Sequence, residues 1–257
     1  MPTSLLIVVV FVALFIGAVC YGRWWELHGG GKTSREKEAR RKVARGASAR
    51  ARGWRYDGTV DGNIGFRISG ETPGGTTWII HYDSDHSSSS STAKLVFNAQ
   101  TLSSATYVWT IHDKKTYDIT QKRVVRAIIG GISKLVGVFS DSLKLKRDFY
   151  LKAGVLAAGS REFRERYVLA ATDSRWTALI DTEIERQFLN WPKFKQTMSL
   201  RDNCVCAELA TQGLRVLLYA DAPEFDVIEH MAKLGQMLTD ATVRIKAGIG
   251  ISEPLAD

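Results

Sequence analysis

Ile64-Gly65-Phe66-Arg67-Ile68-Ser69-Gly70-Glu71-Thr72-Pro73-Gly74-Gly75-Thr76-Thr77-Trp78-Ile79-Ile80-His81-Tyr82 reads as two strands and the turn between them. Ile64, Phe66 and Ile68, then Trp78, Ile80 and Tyr82, recur at every second position, the period of a strand with one buried face. Pro73 presets φ for the turn, and Gly74 and Gly75 accept positive φ. Upstream, Trp54 and Tyr56 keep the same period. Downstream, residues 83–92 contain five consecutive serines and have nothing to bury, so they are expected to be a loop. Residues 94–98 and 106–112 add two further strands to an antiparallel meander.

Residues 167–171 form a short buried strand. Trp176, Leu179, Ile180, Ile184, Phe188 and Trp191 stripe one helix that Pro192 ends. Residues 198–209 and 214–219 read as a hairpin around Thr211-Gln212-Gly213. Asp221 and Pro223 then open a helix carrying Phe225, Ile228, Met231, Leu234 and Leu238, with Glu224 and Asp226 in its first turn, where the helix dipole favours acids. Alternation at Val243, Ile245, Ala247, Ile249 and Ile251 suggests a last edge strand. The element order is α+β, without internal repeats.

Ahead of all this stands the uncharged run Ser4 to Tyr21, followed by Trp24 and Trp25. As a helix its 18 residues reach roughly 27 Å, close to a hydrocarbon core of about 30 Å. Its 12 Leu, Ile, Val and Phe residues, among them Leu5, Leu6, Phe11, Leu14, Phe15 and Ile16, favour insertion by roughly 4–7 kcal/mol. A cleaved leader would need a basic start, which Met1 to Ser4 lack. A lipoprotein processed at Cys20 would need a small residue where Val19 stands. A retained single span is the expectation, with Trp24 and Trp25 at the headgroup level.

Arg23, Lys32, Arg35, Lys37, Arg40, Arg41, Lys42 and Arg45 follow the run. The positive-inside rule therefore places the N-terminus outside and the remainder in the cytoplasm. Three cysteines, Cys20, Cys204 and Cys206, are too few for a disulfide framework and suit a reducing compartment.

The chain's net charge is +8, and residues 1–55 carry all of it, with 11 basic and 3 acidic residues. A domain that is neutral overall argues against nucleic-acid binding. Its charge is nevertheless layered, +8 over 114–166 between flanks of −4 over 56–113 and 167–257. The parts expected are an anchor over 1–25, a basic linker and helix over 26–53, a domain over 54–241, and a tail or edge strand over 242–257. The domain would comprise the meander (54–113), a basic helical middle (114–166) and a strand-helix-hairpin-helix unit (167–241).

Within the linker, residues 27–32 read as a glycine-rich hinge. Thr33 and Glu36 form a capping box for a helix that Gly53 closes. Gly29-Gly30-Gly31-Lys32-Thr33-Ser34 imitates a phosphate-binding loop, but Glu26 stands where the first glycine belongs and no strand precedes it. In the middle region, Val125, Ile128, Ile129, Ile132, Leu135, Val136 and Phe139 share a helical face edged by Lys122, Arg123, Arg126 and Lys134. That helix would pack on the sheet, or its basic margin would meet anionic lipid or a partner. Residues 143–158 are basic and mixed, without a decisive pattern.

Chemistry-bearing candidates are sparse. His81, Asp83 and Asp85 would share a strand face, with His86 following and His112 as a possible distant partner; this donor set suits a divalent metal and a hydrolase. A solvated strand end is the plainer account. Cys204 and Cys206 would share a face as a buried apolar pair. No nucleophile elbow, His-Glu-x-x-His or dinucleotide fingerprint occurs, so no cofactor is implied.

A short span, a basic helix, Arg52-Gly53-Trp54-Arg55-Tyr56, strands through Gly74-Gly75-Thr76-Thr77-Trp78 and a late strand-helix-hairpin-helix unit together resemble uncharacterised bacterial single-pass membrane-anchored proteins. The resemblance implies a bacterial inner-membrane setting and transfers no site. The function expected is binding or scaffolding by a cytoplasmic domain, with the bilayer and an unidentified protein as partners. A tethered metal-dependent hydrolase and an anionic-lipid-binding module are the alternatives.

Overall fold

Strand periodicity in the 64–82 stretch is realised within one large antiparallel sheet. The computed structural model describes residues 30–58, 65–84, 93–100, 106–118, 122, 148–192, 205–220 and 223–251, and the chain divides into two units, Met1–Ala51 and Arg52–Asp257.

In the first unit, helix α1 spans Gly30–Ala51. It starts three residues before Thr33, so Gly30 and Gly31 are helical rather than part of a hinge. The Lys, Arg, Glu and Ala residues that follow are strong helix formers, and they carry the two glycines into the first turn. Arg45 Nη1 donates to Glu38 Oε1 at 3.0 Å. Gly53 has φ +72°, the left-handed conformation expected after a helix end. The apolar run with Trp24 and Trp25 lies outside the described residues, among which no helix is long and apolar enough to cross a membrane.

Among the described residues, the second unit is built on nine strands: β1 (Arg55–Asp57), β2 (Phe66–Glu71), β3 (Thr77–Ser84), β4 (Ala93–Ala99), β5 (Trp109–Asp113), β6 (Gly154–Leu156), β7 (Tyr167–Ala171), β8 (Val205–Ala210) and β9 (Gly213–Leu218). Their order across the sheet is β1-β2-β3-β4-β9-β8-β5-β7-β6. The β2–β3 turn follows the sequence reading: Gly75 has φ +78° and its N–H donates to Thr72 O at 2.9 Å. β4 and β5, expected as neighbours in the meander, are separated by the late hairpin. β9 pairs with β4 from Leu95↔Leu218 to Ala99↔Leu214, and β8 with β5 from Trp109↔Leu209 to Ile111↔Ala207. The alternating apolar residues of 205–218 supply what β4 and β5 would otherwise leave exposed.

One face of the sheet is apolar. Trp78, Ile80, Leu95, Phe97, Leu214, Val216, Ala207, Leu209, Trp109 and Ile111 are all buried. Helix α4 (Phe225–Ile251) lies on this face, against β3, β4 and β9. Val227, Ile228, Met231, Leu234 and Leu238 are buried along it, at the i, i+3, i+4 spacing of a core-facing stripe. Trp78 stacks on Phe97 with ring centroids 5.7 Å apart and meets Trp54 edge-on at 5.2 Å.

Two expectations are corrected. The single helix over 176–191 is broken into a 3₁₀ turn (Ser174–Leu179) and helix α3 (Thr182–Leu189). Asp181 causes the break, because its Oδ1 accepts from Ile184 N at 2.8 Å and starts a new helix. Asp173 caps the 3₁₀ turn in the same way, its Oδ1 accepting from Arg175 N at 2.8 Å. Residues 243–251 are the last turns of α4 and not an edge strand; no proline follows Leu238 within the helix, and Thr239 Oγ1 donates back to Gly235 O at 2.7 Å instead of capping a new start.

Helix α2 (Arg161–Arg166), capped by Ser160, leads directly into β7. Residues 114–118 and 148–152 are helical. The amphipathic stretch over 125–139 lies outside the described residues.

Candidate functional site

Because side chains alternate along a strand, apolar packing against α4 assigns the intervening residues to the opposite face. There the pairing aligns Asn98 with Arg215, Arg215 with Glu208, and Glu208 with Thr110. A polar row thus crosses β4, β9, β8 and β5. Glu208 is 8 % exposed and Thr110 2 %, so the row is sunk into the face rather than solvated along its length. Arg215 Nη1 lies 3.4 Å from Glu208 Oε1 and 3.5 Å from Gln212 Oε1.

The neighbouring row, one pleat along, holds Cys206 on β8 and His112 on β5. His112 Nε2 lies 3.0 Å from the Tyr150 hydroxyl and 3.7 Å from Cys206 Sγ. Tyr150 enters from the 148–152 helical segment. Together with Tyr117, Phe149, Val168 and Ala170 it forms a second, aromatic cluster on this side of the sheet. Burial pushes the Tyr150 hydroxyl well above the ordinary phenol range, and the negative charges that Cys206 and Glu208 would carry push it the same way. Burial, helped by Glu208 and opposed by Arg215, raises Tyr107 to about 12. Both phenols therefore stay protonated near neutrality, when a hydroxyl can donate or accept. The Thr110 hydroxyl lies near enough to Tyr150 to oppose its rise slightly, yet forms no hydrogen bond of normal length.

Of the residues expected to bind metal, His81 is half-buried on β3, its Nδ1 3.3 Å from Asn98 Nδ2. Asp83 continues β3 in register with Lys94; Asp85 and His86 lie outside the described residues. His112 is not a partner of His81: β4, β9 and β8 stand between their strands, a separation of about 19 Å at about 4.8 Å per strand spacing. No group of three or more metal-capable side chains occurs among the described residues. Lys122 is helical and exposed, whereas Arg123, Arg126 and Lys134 lie outside the described residues. Cys206 lies beside His112, and Cys204, its expected neighbour on the same face, lies outside the described residues.

A depression of about 360 Å³ is lined by residues of α3, the segment that follows it and α4, among them Arg186, Asn190, His230 and Lys233. Its charges are largely spent on one another. Glu183 bonds Arg186, Gln187 and Lys233, chiefly the first, which pulls its carboxyl down to about 2. Arg52 binds Glu229 at 2.6 Å and lies 4.8 Å from the Phe225 ring centroid. Burial lowers the His230 pKa, and its Nε2 bonds Gln187 O at 2.7 Å. The depression is a structural network joining α3 to α4.

His112, Tyr150, Glu208 and Arg215 did not emerge from the sequence as a site. The available signal was polar residues at alternate positions in otherwise apolar strands: Cys206 and Glu208 between Val205, Ala207 and Leu209, and Thr110 and His112 around Ile111. Compared with protein-family models, with curated proteins and with solved structures, the chain matches none.

Proposed function

We propose that the chain is a membrane-tethered binding module whose ligand surface is the polar face of the sheet. The polar row Asn98–Arg215–Glu208–Thr110 carries the reading. Burying polar side chains costs free energy unless their hydrogen bonds are completed, so a fold serving only its own stability would fill this face with apolar residues. Here one face takes the helix and the other holds fixed donors and acceptors on rigid strands, the arrangement that positions a hydrogen-bonding ligand. The occupant of that chemistry is a small polar molecule with both donor and acceptor groups, matched to Arg215, Glu208 and Asn98. The tether is the apolar run 4–21, supported by its length, its lack of charge and the basic residues after it. The basic residues after the run support a domain on the cytoplasmic side, and the resemblance to uncharacterised membrane-anchored proteins supports a bacterial inner membrane.

Thermal unfolding of the full chain in detergent against a panel of small carboxylates, phosphates, amides and amino acids tests the reading. A ligand at a hundred times its Kd adds about 2.7 kcal/mol, which for a unit of this size raises Tm by roughly 5–11 °C. A rise of that size with one class is expected. A flat response across the panel contradicts the proposal.

A further inference from the structure

Beyond ligand binding, the same face holds an arrangement suited to thiol chemistry. Cys206 is half-buried, and so reachable from solvent. His112, 94 residues away in sequence, presents Nε2 to its sulfur at 3.7 Å. That nitrogen also meets the Tyr150 hydroxyl at 3.0 Å, and His112 is only 6 % exposed, so the ring is held between two partners and packed in place. A thiol becomes a nucleophile when a nearby base takes its proton or a nearby cation stabilises the thiolate, and an imidazole at sulfur hydrogen-bond distance does both. Among the described residues, the surrounding titratable groups are Glu208 on the same strand, Arg215 on β9, Tyr107 ahead of β5, and Tyr117 and Tyr150 from the helical segments. Thr110, 2 % exposed on the same side of β5, lies beside the Tyr150 hydroxyl.

We propose that Cys206 is a reactive thiol that exchanges with low-molecular-weight disulfides, with His112 as its proton acceptor and Tyr150 as the residue that positions His112. The Cys206 proton passes to His112 Nε2, the resulting N–H is shared between Cys206 Sγ and the Tyr150 oxygen, and Sγ attacks one sulfur of the disulfide. A new S–S bond to Cys206 forms as the old S–S bond breaks, and the departing thiolate takes the proton from the imidazolium. Cys206 is oxidised to a mixed disulfide and half of the attacked disulfide is reduced to a thiol, so the step balances without another reagent. Acyl transfer would need donors converging on an oxyanion, and Tyr150 is already committed to His112.

The test uses the full chain in detergent with Cys20→Ser and Cys204→Ser, so that Cys206 is the remaining thiol. Its reaction with glutathione disulfide is followed by intact mass between pH 5 and 10. The expected rate profile has its midpoint well below the about 8.5 of an ordinary thiol, and His112→Gln moves the midpoint up. At pH 6 that variant is expected to react about fivefold more slowly, the gain in thiolate fraction being partly offset by the lower nucleophilicity of a low-pKa thiolate. Tyr150→Phe, which keeps the ring and its packing, shifts the midpoint in the same direction by less. A parental midpoint at or above about 8.5, or an unchanged profile in folded His112→Gln, overturns the proposal. If His112→Gln does not fold, the parental midpoint and Tyr150→Phe decide it.

Discussion

Gly235→Ala destabilises the domain, although the same substitution in an ordinary helix interior stabilises it by about 1 kcal/mol. Gly235 lies on α4 where the helix crosses β4, and a Cβ built there falls 2.5–2.6 Å from three atoms of the Phe97 ring. Phe97 is fully buried and stacked on Trp78 at 5.7 Å, so its ring has no free direction in which to turn. The helix must lift or the ring must leave its rotamer, at a cost of about 1–3 kcal/mol or more. Gly235→Val adds two further methyls to the same contact and is expected to leave the domain unfolded or nearly so. Denaturant unfolding of both variants measures the effect. Phe97→Leu in the Gly235→Ala background should recover part of the loss, with a coupling of about 0.5–3 kcal/mol. Additive losses would mean that the helix does not approach β4 through this glycine.

Trp78→Ala is the largest single truncation expected in the core. The side chain is wholly buried between Phe97 and Trp54, and its removal costs about 3–5 kcal/mol, which for a unit this large lowers Tm by roughly 6–20 °C. Trp78→Phe separates packing from polarity. Nε1 of Trp78 is buried without a hydrogen-bond partner, a penalty of about 1–3 kcal/mol that the native fold already carries. Phenylalanine removes that penalty while keeping much of the stack, so its loss should be well under half that of alanine. Equal losses would show that indole shape dominates.

The strands were legible because their periodicity is local. Phe66, Ile68, Trp78, Ile80 and Tyr82 announce a buried face, and the glycine-rich turn announces how the two strands meet. What was not legible is which edges pair at long range. Nothing near residues 94–112 indicates that a hairpin beginning at Val205 separates β4 from β5, because apolar strands pair with any apolar strand that topology brings alongside. The break at Asp181 was visible as a capping residue inside an apolar stripe and was outweighed by that stripe. Residues 243–251 satisfied both periods, and the unbroken helix before them decided the matter. The polar cluster was hidden for the same reason as the pairing: His112, Tyr150 and Cys206 sit on three separate elements, and only the sheet order makes them neighbours.

Removing the polar row separates a binding face from a structural one. Arg215→Ala and Glu208→Gln, singly and together, are to be made in the full chain, and two quantities read from each: Tm alone, and the Tm rise with the compound that stabilises the parent. The Arg215–Glu208 contact is 3.4 Å long, with Arg215 about one-third exposed and Glu208 about one-tenth. Arg215→Ala alone therefore leaves a buried carboxylate without that cation, at a cost of about 3 kcal/mol, whereas the double variant removes both charges together. The account predicts a clear fall in Tm for Arg215→Ala, a Tm closer to the parent's in the double variant, and a ligand-induced rise that disappears in the double variant. A folded double variant that keeps the full rise would contradict the assignment of this face as the binding surface.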